Sequence, residues 1–495
     1  MSRFRSPDEY ASADGYRLLP FRFRRLPDPS LPVLLTNDVG EHLWMEDPQF
    51  HDYAGKRLPA NHPQFADLES RHFLSRDDQP IPLESMALQL RSRKAFLFEG
   101  PALHIFVATL RCNHSCQYCQ VSRRVEGESP RFDMSFETVT RAVGHVLASP
   151  AKQVTVEFQG GEPLLAFEVI RFAVEELERR NASIGKTLRY VITTVLQHLT
   201  PERLEFIRQH RIELSTSFDG PAGVHNANRP LPSRDSYQRT VAGLDQAREA
   251  LGPHAVAALT TITKKSLSSP EAIIDSYREL GLHSVFLRPL SPYGFAAKSP
   301  QRDYSVAEFM AFYRKAIAHL IQVNLDGYAM DEAYAALLLR SILTPFSHGH
   351  VDLRSPAGAG LGTLVYNYDG KVYASDEARM LAAMGEETFC LGHVENSYAE
   401  LMRSDAMQLI AAGGIAESIP GCSDCAYLPF CGSDPVDSYR RQGDVIGHRP
   451  TSDFCERQMG MFDLLFGYLH RGTEDQKRVL LSWVTRRRPV PLAVD

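Results

Sequence analysis

Seven of the eight cysteines in the chain fall into two groups that could bind metal. The first group has the spacing C-x3-C-x2-C, at Cys112, Cys116 and Cys119, directly after an apolar stretch. Three thiolates on one short loop can bind three irons of a [4Fe–4S] cube and leave the fourth iron open. Zinc usually takes four tetrahedral ligands, and His114 in the same tight loop is an awkward fourth. The spacing therefore favours an iron–sulfur cluster with an open iron.

The second group reads C-x2-C-x5-C followed by a distant cysteine, at Cys422, Cys425, Cys431 and Cys455. Four thiolates with no vacancy are typical of a fully ligated cluster used for electron transfer or structure. A structural zinc could use the same four residues, and the spacing leaves both interpretations open. The remaining cysteine, Cys390, matches no ligand position, and we expect a buried free thiol there.

The elements that must position the first group alternate between strands and helices. Thr200 and Pro201, for example, are a good helix start, because threonine caps free amides and proline is tolerated in the first turn. Six strands with helical crossovers predict a parallel β/α sheet, either a partial barrel or an open doubly wound sheet, with ligands at the carboxyl ends of the strands. The predicted strands are 103–110, 153–159, 188–195, 213–218, 256–263 and 284–290, and the predicted helices are 135–148, 166–182, 200–210, 236–250 and 270–280.

The chain has 495 residues, which is long for one core, so we expect two or three domains. We predict an N-terminal α+β module at 1–100, a β/α core at 101–330 and an irregular C-terminal domain at 331–495. The N-terminal module should contain strands at 21–24 and 33–35 and short helices at 47–57 and 62–75. The C-terminal domain should contain a helix at 331–343, a hairpin, the second cysteine group and a final amphipathic helix after Cys455.

The composition, 43% hydrophobic and 23% charged, is typical of a soluble globular protein. The net charge of −6 argues against nucleic acid as a partner, and the short basic run at 486–488 is interpreted as a solvated tail. No apolar stretch approaches the roughly 20 residues that span a bilayer, and the N-terminus has no secretory apolar core. We therefore expect a cytoplasmic protein with no membrane partner, in which cysteines bind metal or catalyse rather than form disulfides.

The segment RCNHSCQYCQ resembles the signature of the radical S-adenosylmethionine (SAM) superfamily, in which an aromatic residue, here Tyr118, precedes the last cysteine. The resemblance implies a [4Fe–4S] cluster whose open iron binds the amino and carboxylate groups of SAM. It also implies that one electron cleaves SAM to methionine and a 5′-deoxyadenosyl radical, which abstracts hydrogen from a substrate. The β/α core would then be a partial (β/α)6 TIM-like barrel.

Two further segments resemble SAM-binding motifs of this superfamily. Gly160-Gly161-Glu162-Pro163 resembles the GGEP motif, in which glycines let the backbone approach the ligand and Glu162 can accept from the SAM ammonium group. SFDGP at 217–221, followed by His225 and Arg229, resembles the SxDGP…H…R segment of peptide-modifying members.

By that resemblance, Ser217 contacts the SAM ribose and Arg229 reaches its carboxylate side. Asp219 either binds the cofactor or is a structural cap on the following turn. Arg288, in LRPL of the sixth strand, stands where the family often places a SAM-facing residue. The third strand ends in TTV at 193–195, where relatives commonly have Thr-Asn-Gly, so a polar contact to SAM from that loop is in doubt.

The region around the second cysteine group resembles the SPASM domain of sulfatase-maturing enzymes and ribosomal-peptide maturases, which carries two auxiliary clusters. Cysteines expected for the first of these are absent from SPAGAG at 355–360, VYAS at 372–375 and CGSDP at 431–435. The four cysteines that remain match the second, so the resemblance implies one auxiliary [4Fe–4S] cluster. Asp376 follows the position of one missing cysteine, where relatives keep an acidic residue, and is either a general base or a surface carboxylate on a hairpin.

Four segments most resemble the B-type maturase family of the His-Xaa-Ser system: LPFRFRRL, LLTNDVGEHLWM, YDGKVYASDEARML and CGSDPVDSYRRQGDVIGHRPTSDFC. This resemblance implies a precursor peptide with His-Xaa-Ser motifs, a side-chain crosslink made with loss of two hydrogens, and a reductase, flavodoxin or ferredoxin as electron donor. The module at 1–100 would be either a leader-peptide recognition domain that adds the leader as an extra strand or a plain extension of the barrel. Epimerisation, thioether formation and formylglycine formation stay open, as does a non-catalytic iron–sulfur electron carrier or sensor.

Overall fold

The structure, a computed structural model, describes residues 15–76, 81–302, 304–346 and 349–485. The basic run at 486–488 lies outside the described residues. Among the described residues, no helix is long and apolar enough to cross a membrane.

The N-terminal part has its own small hydrophobic core, formed by side chains between Tyr16 and Leu74. Strands β2, β3 and β4 form an antiparallel sheet, and β1 pairs antiparallel with β5. Both predicted strands and both predicted helices are present, although the helices are shorter than expected. The elements are β1 (Tyr16–Leu18), β2 (Arg22–Arg24), β3 (Val33–Thr36), β4 (His42–Met45), α1 (Asp47–Ala54), α2 (Phe65–Ser70), β5 (Leu74–Arg76) and α3 (Ile81–Arg93).

The middle of the chain forms the predicted parallel β/α sheet. Its strands are apolar on their buried faces, and helices such as α4 and α5 cover them with alternating buried residues. The elements are β6 (Leu103–Thr109), β7 (Arg111–Cys112), β8 (Arg124–Val125), α4 (Phe136–Ala148), β9 (Gln153–Gly160), α5 (Phe167–Asn181), β10 (Thr187–Thr194), α6 (Pro201–Gln209), β11 (Glu213–Ser217), α7 (Ala222–Asn228), α8 (Ser236–Leu251), β12 (Val256–Ile262), α9 (Pro270–Glu279), β13 (Ser284–Val285) and β14 (Leu287–Pro289).

The C-terminal part continues the same sheet. Strand β16 pairs parallel with β6, and β17 and β18 extend it antiparallel, giving the order β14-β12-β11-β10-β9-β6-β16-β17-β18. The last long helix begins at Asp453 and so contains Cys455, which corrects the expectation that it would follow that residue. The elements are α10 (Val306–Leu325), β15 (Asp331–Glu332), α11 (Ala333–Leu343), β16 (Thr363–Tyr366), β17 (Lys371–Tyr373), α12 (Asp376–Ala382), β18 (Cys390–His393), α13 (Tyr398–Leu401), α14 (Asp405–Gly414), α15 (Pro435–Gln442), α16 (Asp453–Arg471) and α17 (Glu474–Thr485).

Six parallel strands with helical crossovers form a partial TIM-like barrel rather than a closed one, since β14 and β6 are not paired with each other. The carboxyl ends of β6, β9, β10 and β11 lie at one edge of this barrel. That edge is where the motifs of the sequence come together.

Candidate active site

The first cysteine group lies in the loop after β6 and lines a cavity of about 180 Å³ at the carboxyl ends of the barrel strands. Cys112 and Cys116 are buried and Cys119 is partly exposed. Burial raises the pKa of Cys116 to about 12 and raises that of Cys112 as well. Such thiols ionise only when a cation binds them, as thiolate ligands of a metal cluster do.

The fit of this loop to an iron–sulfur cube is better than its fit to zinc. Both ring nitrogens of His114 have protein partners, with Nε2 3.0 Å from Ser236 Oγ and Nδ1 3.0 Å from Asn113 Oδ1. In the part of the chain that the structure describes, no three His, Cys, Asp or Glu side chains close around a single ion. Thiolates of a cube bind different irons and are spaced more widely than ligands of one ion.

The two glycines of the GGEP segment cannot be replaced by larger residues without a clash, because backbone atoms of a neighbouring segment leave no room for a Cβ. A Cβ at Gly160, whose φ is +144°, or at Gly161 would lie less than 3.0 Å from the carbonyl oxygen of Thr109 or Arg111, respectively. The end of β9 thus packs against the chain that leads into Cys112, and both glycines line the cavity. The sequence predicted close approach to a ligand, whereas here the close approach is to the cysteine loop.

Glu162 is fully buried and is held by the end of the third barrel strand. Its carboxylate accepts hydrogen bonds from the Thr194 hydroxyl at 2.7 Å, from the amide of Leu164 at 3.0 Å and from the amide of Val195 at 2.8 Å. Burial raises the pKa of Glu162. Thr194, which sequence reasoning did not single out, therefore orients the carboxylate at this site.

Asp219 lies behind the cavity wall and connects two residues that line it, Tyr118 and Arg229. Its side chain is fully buried, accepts from the Tyr118 hydroxyl at 2.8 Å and pairs with Arg229 at 3.0 Å and 3.2 Å. The Thr261 amide donates to the same carboxylate at 3.0 Å. Burial alone would raise the pKa of Asp219, but the Arg229 guanidinium holds it below its usual value. This geometry suits a positioning residue, because both oxygens are already occupied by protein groups.

Ser217, Arg288 and Asp376 also line this first cavity. Asp376 begins α12, is 16% exposed and pairs with Arg379 at 2.9 Å, so it is not a surface carboxylate on the hairpin. Arg288 lies 3.6 Å from Glu377.

A second cavity of about 320 Å³ adjoins the first. Gln159, Arg288 and Asp376 line both cavities, so the two share one wall. The second cavity is bounded by barrel strands on one side and by residues from α12, α15 and α16 on the other. The second cavity therefore lies directly beside the cavity that the cysteine loop lines.

Residues 106–277 match the family model of the Radical SAM superfamily. The chain contains a radical SAM domain. A serine-type anaerobic sulfatase-maturating enzyme of Bacteroides thetaiotaomicron is 24% identical over 185 residues, which cover 36% of this chain and 44% of that enzyme.

Two solved structures share the fold of most of the chain. The structure of anSMEcpe with bound AdoMet and the Cp18Cys peptide has a TM-score of 0.62 at 17% identity, covering 78% of this chain and 99% of that one. Streptococcus suis SuiB bound to the precursor peptide SuiA has a TM-score of 0.53 at 13% identity, covering 87% and 98%. The fold is thus a partial TIM-like radical SAM barrel with a small N-terminal α+β module and a SPASM-like C-terminal region. The B-type family of the His-Xaa-Ser system stays a prediction.

Outside the radical SAM domain, the four cysteines of the second group line one small cavity beside α16. Burial raises the pKa of Cys422 to about 11, and the neighbouring thiols of Cys425 and Cys455 raise it further. Cys455 lies in the first turn of α16, whose N-cap Ser452 accepts from its amide. Four partly exposed thiols at one cavity, three from one loop and one from α16, suit a fully ligated cluster.

Polar residues in the three segments from which expected cysteines are absent have structural contacts. Ser375, which stands at one such position, caps α12 by accepting from the Ala378 amide, and Asp434 caps α15 by accepting from the amides of Val436 and Asp437. Ser355 accepts from the Ala416 amide, which anchors the SPAGAG segment. The absence of a first auxiliary cluster stays a prediction.

Cys390 lies in β18 and lines neither of the cysteine cavities. Its Sγ is 3.5 Å from the carbonyl oxygen of Gly392 and 3.7 Å from that of Val372. The side chain is partly exposed rather than buried, because β18 is the edge strand of the sheet. The thiol is free, as expected.

Proposed function

We propose that this chain is an enzyme that reductively cleaves SAM and uses the resulting radical to oxidise side chains of a ribosomally made peptide or protein. The observation that supports this most is the shared wall of the two cavities. One cavity contains the cysteine loop and the SAM motifs, and the other has room for a substrate side chain. A simple electron carrier has no need of a second cavity, so the adjoining space favours an enzyme.

The chain's own residues would bind and orient the reactants at the first cavity. Cys112, Cys116 and Cys119 would hold a [4Fe–4S] cluster, which together with SAM supplies a 5′-deoxyadenosyl radical. Glu162, fixed by Thr194, would accept from the SAM ammonium group, and its buried position excludes water from that contact.

Three other residues would complete the SAM site. Arg229, held by Asp219, would face the carboxylate side of SAM, and Ser217 would contact the ribose. Arg288 stands in the wall between the cavities and would separate SAM from the substrate. Tyr118 would fix the loop through its bond to Asp219.

The substrate would enter the second cavity and meet Asp376 at the shared wall. We propose that Asp376 takes the proton released when the substrate radical closes a new bond, since a carboxylate there is in reach of both cavities. The one remaining electron would pass to the auxiliary cluster that the second cysteine group would hold, so that one hydrogen atom, one proton and one electron account for the two hydrogens lost. A crosslink made with loss of two hydrogens on a peptide with His-Xaa-Ser motifs is the product that the sequence resemblance favours.

The remaining parts would serve electron flow and peptide recognition. Cys422, Cys425, Cys431 and Cys455 would hold one auxiliary [4Fe–4S] cluster, and a reductase, flavodoxin or ferredoxin would supply electrons. The N-terminal sheet β2-β3-β4 would bind the leader segment of the precursor peptide at one of its outer strands.

The experiment that tests the proposal is co-expression of the enzyme with each short peptide encoded beside its gene, followed by intact-mass analysis. We expect a loss of two hydrogens per motif that is abolished by Cys116→Ala. An unchanged mass together with deuterium uptake from solvent would replace crosslinking by epimerisation. If the reduced, reconstituted enzyme forms no 5′-deoxyadenosine from SAM, the proposal is wrong.

A further inference from the structure

The second cavity is lined by an excess of carboxylates. Six acidic side chains and three guanidinium groups face it, which is a net charge of −3 before His350 is considered. The acidic residues are Glu157, Asp352, Asp376, Glu377, Asp434 and Asp437, and the arginines are Arg288, Arg441 and Arg457.

Half of these carboxylates are already paired within the protein. Asp437 pairs with Arg441 at 2.8 Å, and Asp376 pairs with Arg379, which lies outside the cavity lining. Glu157 accepts a hydrogen bond from the Thr193 hydroxyl at 2.9 Å. Three of the six carboxylates therefore already have a close partner within the protein.

Asp352, Glu377 and Asp434 have weaker contacts to basic groups of the protein. Glu377 forms a long ion pair with Arg288 at 3.6 Å, and Asp352 lies 3.8 Å from His350, which is a cation only when it is protonated. Among the described residues, Asp434 has no ion pair at all, and only its Oδ1 is used, as the cap of α15. The three carboxylates come from separate segments and converge on one space.

An unpartnered hydroxyl points independently to a missing ligand at this place. Tyr293 is 1% exposed, lines the cavity, and its Oη has no hydrogen-bond partner in the described structure. Burial raises the pKa of Tyr293, and the negative charges of Asp434 and Glu377 raise it further, so these groups lie close together. A buried hydroxyl without a partner is unfavourable, and a ligand that donates a hydrogen bond to its oxygen would remove that penalty.

We infer that this cavity binds a cationic side chain of the peptide substrate, an ammonium, guanidinium or imidazolium group, between Asp352, Glu377 and Asp434. The inference rests on the proposed function and names the class of side chain that is presented to the shared wall. A bare metal ion suits the site less well, because no three of the described carboxylates close around a single ion. A larger organic cation can span carboxylates that are further apart and donate a further hydrogen bond to the Tyr293 oxygen.

The ionisation of the acidic groups gives the binding a pH dependence. Removal from water and the negative charge of Glu377 together raise the pKa of Asp352 to about 7, against the opposing effect of Arg288. Below that pH Asp352 is protonated and neutral, and above it the carboxylate is ionised and attracts a cation. Binding should therefore tighten as pH rises from about 6 to about 8. The charged and titratable groups that face Asp352 are Arg288, Tyr334, His350, Glu377, Asp434, Asp437 and Arg457.

The test measures binding of small probes to the reconstituted, SAM-bound enzyme without reductant, so that no turnover occurs. N-acetyl-lysine amide is compared with its apolar isostere N-acetyl-norleucine amide and with N-acetyl-glutamate amide by saturation-transfer NMR titration. The arginine and histidine amides extend the cationic series. We expect at least tenfold tighter binding of the lysine or arginine probe than of the norleucine probe, and a preference that grows between pH 6 and pH 8. The histidine probe is compared at pH 6 only, because an imidazole loses its charge above about pH 6.5.

Matched variants show which carboxylates cause the preference for the cationic probe over the norleucine probe. Asp352→Asn should remove the pH dependence of this preference, and Glu377→Gln should weaken the preference severalfold. Glu395→Gln changes an exposed carboxylate beyond β18 and should leave the preference unchanged. Asp434→Asn, which keeps one capping oxygen, repeats the test if the other variants unfold. Equal binding of lysine and norleucine probes, or a preference that survives Asp352→Asn and Glu377→Gln, would overturn the inference.

Formation of 5′-deoxyadenosine under reductant is measured separately on the same preparations. Loss of SAM cleavage in the unmodified enzyme would overturn the proposed function, whereas equal probe binding with intact SAM cleavage would overturn only the cationic site.

Discussion

At the scale of single residues, Gly160 and Gly161 show how a motif can be recognised for one reason and needed for another. The motif predicts that both positions lie at the site, and the structure places both in the wall of the first cavity. Their physical reason is the close packing of the end of β9 on Thr109 and Arg111. That reason depends on β9 lying beside β6, which becomes visible only in the assembled sheet.

Gly161→Ala tests that reason directly. The new methyl group would push against the Arg111 carbonyl and displace the cysteine loop, so we expect the SAM-cluster site to lose its iron while the auxiliary site keeps its own. Iron should fall from about eight to about four per chain if each site holds a [4Fe–4S] cluster. Gly467→Ala, at a helical position with no atom within 4 Å of the new Cβ, is the control and should retain full iron. Equal iron in both variants would contradict the packing argument.

Thr194 and Asp219 mark the limit of residue-level prediction. Thr194 stands in a segment whose departure from the family pattern suggested a lost polar contact, yet its hydroxyl holds Glu162. Asp219 was either a ligand or a cap, and the structure makes it the anchor of Arg229 and Tyr118. Both roles arise between residues distant in sequence, so no local spacing could reveal them.

At the scale of elements, the barrel strands were predictable because each is apolar and bounded by amphipathic helices. Strands β6, β9, β10, β11 and β12 begin and end within one residue of their predicted limits. The sixth strand is different, because it is divided into β13, which pairs with β15, and β14, which pairs with β12. Residues 284–290 form one apolar run, so the sequence gives no sign that the strand is divided. The pairing of its first part with residues 331–332 could not be predicted from the local sequence.

The docking of the N-terminal sheet was also beyond sequence reasoning. Arg24 of β2 forms a two-point contact with Asp463 of α16, at 2.7 Å and 2.8 Å, and the Tyr427 hydroxyl donates to the same carboxylate at 2.5 Å. The Arg24 charge also lowers the pKa of Cys425, against the larger effect of burial, so β2 lies close to the auxiliary cysteines. The N-terminal sheet therefore packs against the segment that carries the first three auxiliary cysteines.

Arg24→Ala should weaken the packing of the N-terminal sheet against this segment and α16. Loss of a charge-assisted contact that leaves Asp463 unpaired should lower the free energy of unfolding by about 1–3 kcal/mol and speed the loss of auxiliary iron to a chelator. Denaturant unfolding and chelation rates of the reconstituted enzyme measure both effects. Arg25→Ala removes the next arginine, whose pair with Asp47 is half exposed, and should cost about 0–1 kcal/mol with no change in iron loss. Similar effects of the two variants would argue against a specific role of β2.

At the scale of the whole molecule, the sequence predicts the parallel sheet and the site at its carboxyl edge, but not the second cavity. That cavity is lined by residues from Leu103 to Met461, and the wall opposite the barrel combines helices α11, α12, α15 and α16 with loops that are far apart in the sequence. Its carboxylates therefore look like unrelated surface residues in the sequence. Only the pairing of β16 with β6 brings the C-terminal segments against the barrel and creates the shared wall at Asp376.

The two cysteine groups should hold clusters with different roles, and three cysteine variants test this. Cys116→Ala should remove the SAM cluster and all 5′-deoxyadenosine formation, because three thiolates are the minimum for a cube with an open iron. Cys422→Ala should remove only the auxiliary cluster, which leaves about four irons per chain and measurable SAM cleavage but little modified peptide. Cys390→Ala, at a free thiol of the edge strand that lines neither cysteine cavity, should keep full iron and full activity. Iron analysis, 5′-deoxyadenosine yield and peptide mass, measured on each variant, decide the matter. Retention of eight irons in Cys422→Ala, or zinc in place of iron at that site, would show that the second group does not hold an electron-transfer cluster.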